Sequence, residues 1–275
     1  MDTIYNSQII EDGYNTSYIV SLIISLFYTP SCVNNILTTD PHDIQFTYIQ
    51  EFIKIRFIES LHRGNSIHSD IINELRNYLM KCDWCNNVTD IISLRRVDEF
   101  YKYFMGKIYN GSHNIEFARI SGNTTSTSDQ IVSIPLIELT LPDGLEKIGI
   151  DSLFKIWLNS NISLGTCDYT IIQPPDILPL YIKRNNKKTK IDIKHIIKFF
   201  NIKDSTQSKL IWKIHSFICY NDMIGYYSVV KHSGIWIRVS DKHMPSFTII
   251  DMADITDVHT LAEEVELVFY RLNQD

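Results

Sequence analysis

The sequence predicts an α+β fold, and three observations carry that prediction. Apolar residues recur at helical spacing through the first 110 positions. Short runs rich in β-branched and aromatic residues dominate after about residue 130. The two kinds of element are segregated along the chain, whereas a parallel βαβ sheet would alternate them. With 275 residues, 44% of them apolar and few of them Gly or Pro, the chain can bury a substantial core without long linkers.

The elements follow in order. GYNTSYIVSLIISLFYTP (13–30) sets a polar Asn15-Thr16-Ser17 before an apolar run from Tyr18 to Tyr28 that only Ser21 and Ser25 interrupt. That run is shorter than the roughly 20 residues needed to cross a bilayer, so it is expected as a buried helix of a soluble domain. Ser17 at its mouth reads either as a helix cap or as a nucleophile. FTYIQEFIKIRFIESLHRG (46–64) has helical spacing and stops at Gly64. SDIINELRNYLMKC follows with Ser69 as N-cap, and VDEFYKYFMGKIYNG (97–111) ends at Asn110-Gly111.

The polar stretch 121–130 reads as a loop. IVSIPLIELTLP (131–142), DILPLYIKRN (176–185), KLIWKIHSFICYND, SFTIID and VELVFYRL read as strands. YYSVVKHSGIWIRVS reads as a hairpin turning at His232-Ser233-Gly234. Two helices are expected among the strands, at GIDSLFKIWLNS and DITDVHTLAEEV.

A net charge of −6 argues against a general nucleic-acid binder, which carries a basic surface. The N-terminus lacks the basic region of a secretory signal, and the five cysteines are an odd number. Free thiols in a reducing, cytoplasmic compartment are therefore expected. The Asn-x-Ser/Thr sequons at Asn15, Asn87, Asn110, Asn123 and Asn161 are then chance matches in an Asn-rich chain. Cys82-Asp83-Trp84-Cys85 has no second pair to complete a zinc site and reads as thiols at a helix end. Trp212, Trp236, Tyr226 and Tyr227 read as core, and His113 and His259 have no visible metal partners. Lys183, Arg184, Lys187, Lys188 and Lys190, continuing to Lys198, form the one dense basic stretch. It reads as a solvated turn that could contact a partner.

Six segments in order, from about Asp12 to Leu272, resemble the ubiquitin-specific proteases, the papain-like deubiquitinases. Asn15-Thr16-Ser17-Tyr18 with Ser21 and Pro30 is similar to the opening Asn-Thr-Cys-Tyr motif. Glu99-Phe100 matches the end of the Gln-Gln-Asp-Ala-His-Glu-Phe helix. IVSIPLIELTLP with GIDSLFKIWL is similar to a family strand and the helix after it. Leu178, Leu180, Ile182, Lys183 and Arg184 keep the pattern of the Leu-x-Leu-x-Leu-Lys-Arg-Phe strand, with Asn185 in place of Phe. WKIHSFICYNDMIGYYSVVKHSGIWIRVSD is similar to the paired strands that carry Gly-His-Tyr and Trp-x-x-Phe-Asp/Asn-Asp. EEVELVFYRL is similar to the last strand.

The resemblance implies a single domain over 1–275, with a helical thumb to about 115 and an antiparallel β palm with reduced fingers over about 116–275. The family's fingers commonly hold zinc on two Cys-x-x-Cys pairs. Between Met105 and Pro174 this chain has only Cys167, so the zinc ribbon is expected to be absent, with no cofactor or metal. The resemblance sets the nucleophilic Cys at Ser17, the oxyanion-hole Asn at Asp12, the catalytic His at Gly225 and the third triad member at Ser240. Asp241 matches the acid that follows, and Tyr14 stands where the family has Gly.

Cysteine-protease chemistry needs a thiolate, a base and a group that orients the base. A hydroxyl has a higher pKa than a thiol and needs its base more, yet Gly225 has no side chain. Asp12 would set a negative charge against an oxyanion. His232, the nearest His in sequence, lies about 20 Å along an extended strand from position 225; His215 and His243 are the other candidate bases. The expectation is a pseudoenzyme that acts by protein–protein binding or as a scaffold, with ubiquitin as one candidate partner and nucleic acid disfavoured. The alternatives are a hydrolase of ubiquitin-like conjugates using Ser17, or nucleic-acid association through Lys183–Lys198. Abundant Ile and Asn with scarce Ala and Gly suggest an A+T-rich source. That suits a large cytoplasmic DNA virus, and hence a place in the host cytoplasm or the virion.

Overall fold

A computed structural model describes residues 8–29, 44–85, 92–109, 114–121, 124–125, 131–162, 168–184, 189–200, 209–250 and 259–273. They fall into two compact units, Met1–Ser112 with Ser216–Ile255, and His113–His215 with Thr256–Asp275.

In the first unit, helix α1 (Ser17–Phe27) is buried at every position, as an all-round apolar helix must be. Helix α2 (Ile44–Phe52) runs on through a π-helical segment, Ile53–Ile58, into α3 (Glu59–His62). The single helix expected over 46–64 is thus present, with a change of winding inside it, and the chain leaves it at Gly64 with φ +82°. Helix α4 (Ser69–Lys81) buries Ile72, Leu75 and Leu79 on one stripe. Its N-cap is His68, one residue before the expected Ser69. The Ser69 N–H donates instead to Glu11 Oε2, 2.9 Å away, so a side chain from outside the helix satisfies the first turn. That bond and one from His68 lower the Glu11 pKa.

Helix α5 (Val97–Tyr103) also ends in a π-helical segment, Phe104–Ile108. The buried Asp98 sits in its first turn and accepts two bonds from Arg96, at 3.0 and 3.1 Å, favourable at the positive end of a helix dipole. Aromatic rings join these helices. Phe104 lies 6.2 Å from Phe27, 5.5 Å from Phe100 and 5.2 Å from Tyr109, and Tyr18 meets Phe100 edge-on at 5.2 Å.

The strands of this unit are antiparallel in the order β13 (Phe247–Ile250), β12 (Ile235–Val239), β11 (Gly225–His232) and the second half of β10 (Lys209–Asn221). The β11–β12 hairpin closes at His232 and Ile235. Ser233 and Gly234 there both have positive φ, +51° and +85°, the signature of a type I′ turn.

The second unit holds a sheet of β1 (Ile115–Ser121), β2 (Thr124–Thr125), β3 (Ile131–Ile134) and β6 (Asp168–Gln173). A second group pairs β4 (Ile137–Thr140) parallel to β7 (Ile177–Lys183), and β7 antiparallel to β14 (Val265–Leu272). β9 (Ile196–Phe200) pairs with the first half of β10. β5 (Lys147–Gly149) pairs parallel to β8 (Lys190–Asp192) and leads into α6 (Ile150–Ile162). Helix α7 (His259–Glu264) runs directly into β14.

Two expectations are corrected here. IVSIPLIELTLP is not one strand: it breaks at Pro135-Leu136 into β3 and β4, which lie in different sheets, because proline cannot donate to a ladder. The polar stretch 121–130 is not all loop, since Ser121 and Thr124–Thr125 pair as strand. Among the described residues no helix is long and apolar enough to cross a membrane.

Phe104→Ala removes a fully buried ring that three other rings enclose, and is expected to cost about 3–5 kcal/mol. Urea unfolding of the variant against the wild type measures it.

Candidate functional site

The chain enters α1 through a left-handed turn, with φ +66° at Tyr14 and +55° at Asn15. Bonds on each side hold that turn. Asp12 Oδ1 accepts from the Tyr14 N–H at 3.0 Å, Asn15 Nδ2 donates to the Ile92 carbonyl at 2.9 Å, and Arg76 Nη1 donates to the Tyr14 carbonyl at 2.9 Å. Thr16 is the N-cap, but its hydroxyl makes no cap bond and accepts from the Gly13 N–H instead.

Ser17 is the first residue of the helix and only 1% exposed. It does not cap. Its Oγ accepts a hydrogen bond from the Tyr226 N–H at 3.2 Å, which ties the start of α1 to the start of β11. Two further hydroxyl bonds tie α1 and the residues after it to the sheet. Ser216 Oγ donates to the Ser25 carbonyl at 2.7 Å, and Thr29 Oγ1 donates to the Lys231 carbonyl at 3.0 Å.

Gly225 opens β11 with φ +74°. A Cβ built on it would stand 2.8 Å from Ser17 Oγ, closer than real contacts allow. The two positions matched to nucleophile and base, 208 residues apart in sequence, are therefore neighbours in space. Among the described residues the Ser17 hydroxyl has one hydrogen-bond partner, a backbone N–H, and no histidine side chain bonds to it.

Ser240 and Asp241 follow β12, and both are buried. Ser240 donates its N–H to the Ser246 carbonyl at 3.0 Å and accepts at Oγ from the Lys242 N–H at 3.2 Å. Neither Asp241 oxygen has a hydrogen-bond partner. Burial, then the Asp12 charge, pushes the Asp241 carboxyl up to about 7. Asp12 is exposed and pairs with Lys242 Nζ at 3.2 Å.

The sequence-nominated alternative base, His232, lies at the far end of β11 from Gly225. Its ring packs 5.4 Å from Tyr28, which also meets His62 at 5.6 Å and Phe247 at 5.7 Å. Burial and the nearby His62 lower the His232 pKa. Sequence reasoning missed this cluster; its only trace is that Tyr28 and His62 each end a helical run.

In the second unit the basic segment divides. Lys183 is exposed. Arg184 turns inward and donates to the carbonyls of Thr189 at 2.6 Å, Ala262 at 3.0 Å and Val265 at 3.1 Å. Lys190 stands 3.9 Å from Glu263, and Lys194 pairs with Asp192. Lys187 and Lys188 lie outside the described residues. So do Cys167 and His113.

Cys82 and Cys85 are not joined in a disulfide; Trp84 between them donates its indole N–H to the Tyr18 hydroxyl at 3.1 Å. Trp212, Trp236, Tyr226 and Tyr227 are buried. Among the described residues no three His, Cys, Asp or Glu side chains form a metal-binding group. Helices α2 and α4 border a groove of about 430 Å³ lined by Ile44, Gln45, Tyr48, Ile49, Tyr78, Lys81 and Cys82.

No family model matches the chain, and no curated protein matches it in sequence. Solved structures do match. A SAGA DUB module of Ubp8, Sgf11, Sus1 and Sgf73 bound to monoubiquitin aligns with a TM-score of 0.64 at 15% identity, over 100% of this chain and 71% of that one. The same module bound to ubiquitin aldehyde aligns at 0.63 and 14%, with the same coverage of each. The yeast SAGA module aligns at 0.58 and 14%, over 100% and 70%. The chain has the ubiquitin-specific-protease, papain-like fold of these neighbours, at full coverage of its length.

Ser17→Ala leaves the Tyr226 N–H buried without its acceptor. The expected loss is about 1–3 kcal/mol, read as a lower denaturant midpoint with an unchanged slope.

Proposed function

We propose that this chain is a catalytically inactive protein of the ubiquitin-specific-protease fold, acting through protein–protein contacts as a structural or scaffolding component. The observation that carries the proposal is the closure of the Ser17–Gly225 contact. At the position matched to the base there is no side chain, a backbone conformation that L side chains rarely adopt, and no room for a Cβ. At the position matched to the nucleophile a buried hydroxyl oxygen is taken up by a backbone N–H.

Two further observations support the same reading. A serine needs a general base to attack a carbonyl, and the position matched to the group that orients the base is Ser240, whose hydroxyl serves its own turn. The position matched to the oxyanion-hole donor is Asp12, an acceptor paired to Lys242. What remains is a folded surface. The structural neighbours are complexes with ubiquitin and other subunits, which makes ubiquitin one candidate partner and a multi-protein assembly another. The Ile- and Asn-rich composition suits a viral source and thus a viral assembly.

A fluorogenic ubiquitin conjugate is expected to show no turnover above buffer with the wild-type chain. Ser17→Cys combined with Gly225→His is expected to stay inactive, because position 225 must first leave its left-handed conformation, at about 1–3 kcal/mol. Wild-type turnover that disappears in Ser17→Ala overturns the proposal.

A further inference from the structure

We propose that Asp241 is a proton-operated latch: as a neutral acid it lets the loop 240–246 lie against the segment 8–12, and on losing its proton it forces that loop and segment apart.

The geometry starts from a carboxyl group in an unusual position. Asp241 is 6% exposed, and neither oxygen has a hydrogen-bond donor from another residue; among N–H groups its own backbone N–H alone favours the charged form. A buried carboxylate in that state is strongly disfavoured, whereas the neutral acid costs far less. Of the charged groups around it, only Lys242 favours the ionised form, and it does not outweigh burial and Asp12. From the segment 8–12 it faces the Asp12 carboxylate, a like charge. On its own loop the Lys242 ammonium is committed to Asp12 Oδ2 at 3.2 Å. Glu11, the other acid of the segment, is tied to His68 Nδ1 at 3.1 Å and to the Ser69 N–H. His243 contributes its backbone carbonyl to the loop, 3.4 Å from Ser246 Oγ.

The loop and the segment are held together by few bonds. The Ile10 N–H donates to Ser246 Oγ at 2.9 Å. Ser246 Oγ also donates to the Ile10 carbonyl at 3.4 Å, and Lys242 pairs with Asp12 at 3.2 Å; on its other side the segment pairs with residue 67, through Glu11 N–H to the Ile67 carbonyl at 2.9 Å and Ile67 N–H to the Ile9 carbonyl at 2.8 Å. The Ser246 hydroxyl and the Lys242–Asp12 ion pair are therefore the joint between the loop and the segment. Asp241 belongs to the same loop, and its carboxylate and that of Asp12 repel each other when both are ionised.

The sign follows from linkage. Burial and Asp12 raise the Asp241 carboxyl from 3.8 to about 7 in the folded chain. Between those values the folded chain holds a proton that the unfolded chain has lost. This group alone therefore moves the opening equilibrium toward the open form by about tenfold per pH unit as pH rises, with no further change above about 7.

The test is a carbon-13 titration of the side-chain carboxyls in the full chain, combined with amide hydrogen exchange at Ile10 and Ser240 between pH 5 and 8.5. Asp241 is expected to titrate near 7, and exchange at both amides is expected to rise by up to tenfold per unit beyond the intrinsic base-catalysed rate until the midpoint is passed. Asp241→Asn is expected to abolish that excess. Asp12→Asn, which removes the like charge from an exposed position, is expected to lower the Asp241 midpoint and keeps the test decisive if Asp241→Asn fails to fold. A midpoint below 5, exchange that follows only the intrinsic rate, an excess that persists in Asp241→Asn, or a midpoint that Asp12→Asn leaves unmoved would overturn the latch.

Discussion

Helix α1 has no solvent face: all eleven of its residues are buried, so its position is set by what packs against it. Each large apolar side chain taken out of water contributes roughly 1.5–3 kcal/mol, but that gain is non-directional. It would let the helix slide or rotate. Direction comes from the hydrogen bonds at the Ser17 hydroxyl, the Ser25 carbonyl and the Thr29 hydroxyl, which fix α1 in register with β10 and β11, and from the edge-on ring of Tyr18 against Phe100. Helix α5 and the π-helical segment after it pack against this fixed element through Phe27, Phe100, Phe104 and Tyr109. Ser17 thus pins the start of the helix by taking one bond from the sheet, whereas at Ser25 the backbone carbonyl takes the bond and the buried hydroxyl has no partner.

The same economy governs charge in both units. Asp98, the most buried ion-paired carboxylate among the described salt bridges, sits at a helix N-terminus with a bidentate arginine. Arg184 satisfies three backbone carbonyls, where a lysine with a single ammonium could not span the fork. In each case the burial of a charged group is compensated locally. Asp241 is the exception, and its lack of donors is what makes it responsive to protons rather than inert.

Much of this was legible in the sequence where one physical signal dominated. The unbroken apolar run marked α1 as buried. The Ser233-Gly234 pair marked a turn that only positive φ allows. The ordered motifs brought positions 17, 225 and 240 into one expectation, and the structure sets 17 beside 225. Other features had no local signal. Pro135 was visible, but a periodicity of two cannot say that the strands on either side of it join different sheets. The π-helical segments keep the apolar stripe of an ordinary helix. Arg184 and its lysine neighbours look alike as charges, and only the fold distinguishes the inward guanidinium from the exposed ammonium. Ser17 suited a cap by residue type; its actual acceptor role depends on an N–H 209 residues away.

The backbone at Gly225 also bears on how such a chain can change over generations. A side chain can return to that position only after the turn between β10 and β11 has taken a different path and the hydroxyl at 17 has moved. Placing a side chain at 225 is therefore a coupled change that involves the turn and Ser17 together. In any lineage that carries this turn, positions 12 and 240 can drift while 225 stays glycine for reasons of shape alone. A glycine held invariant there would record a commitment made by the main chain, independent of any chemistry at the site.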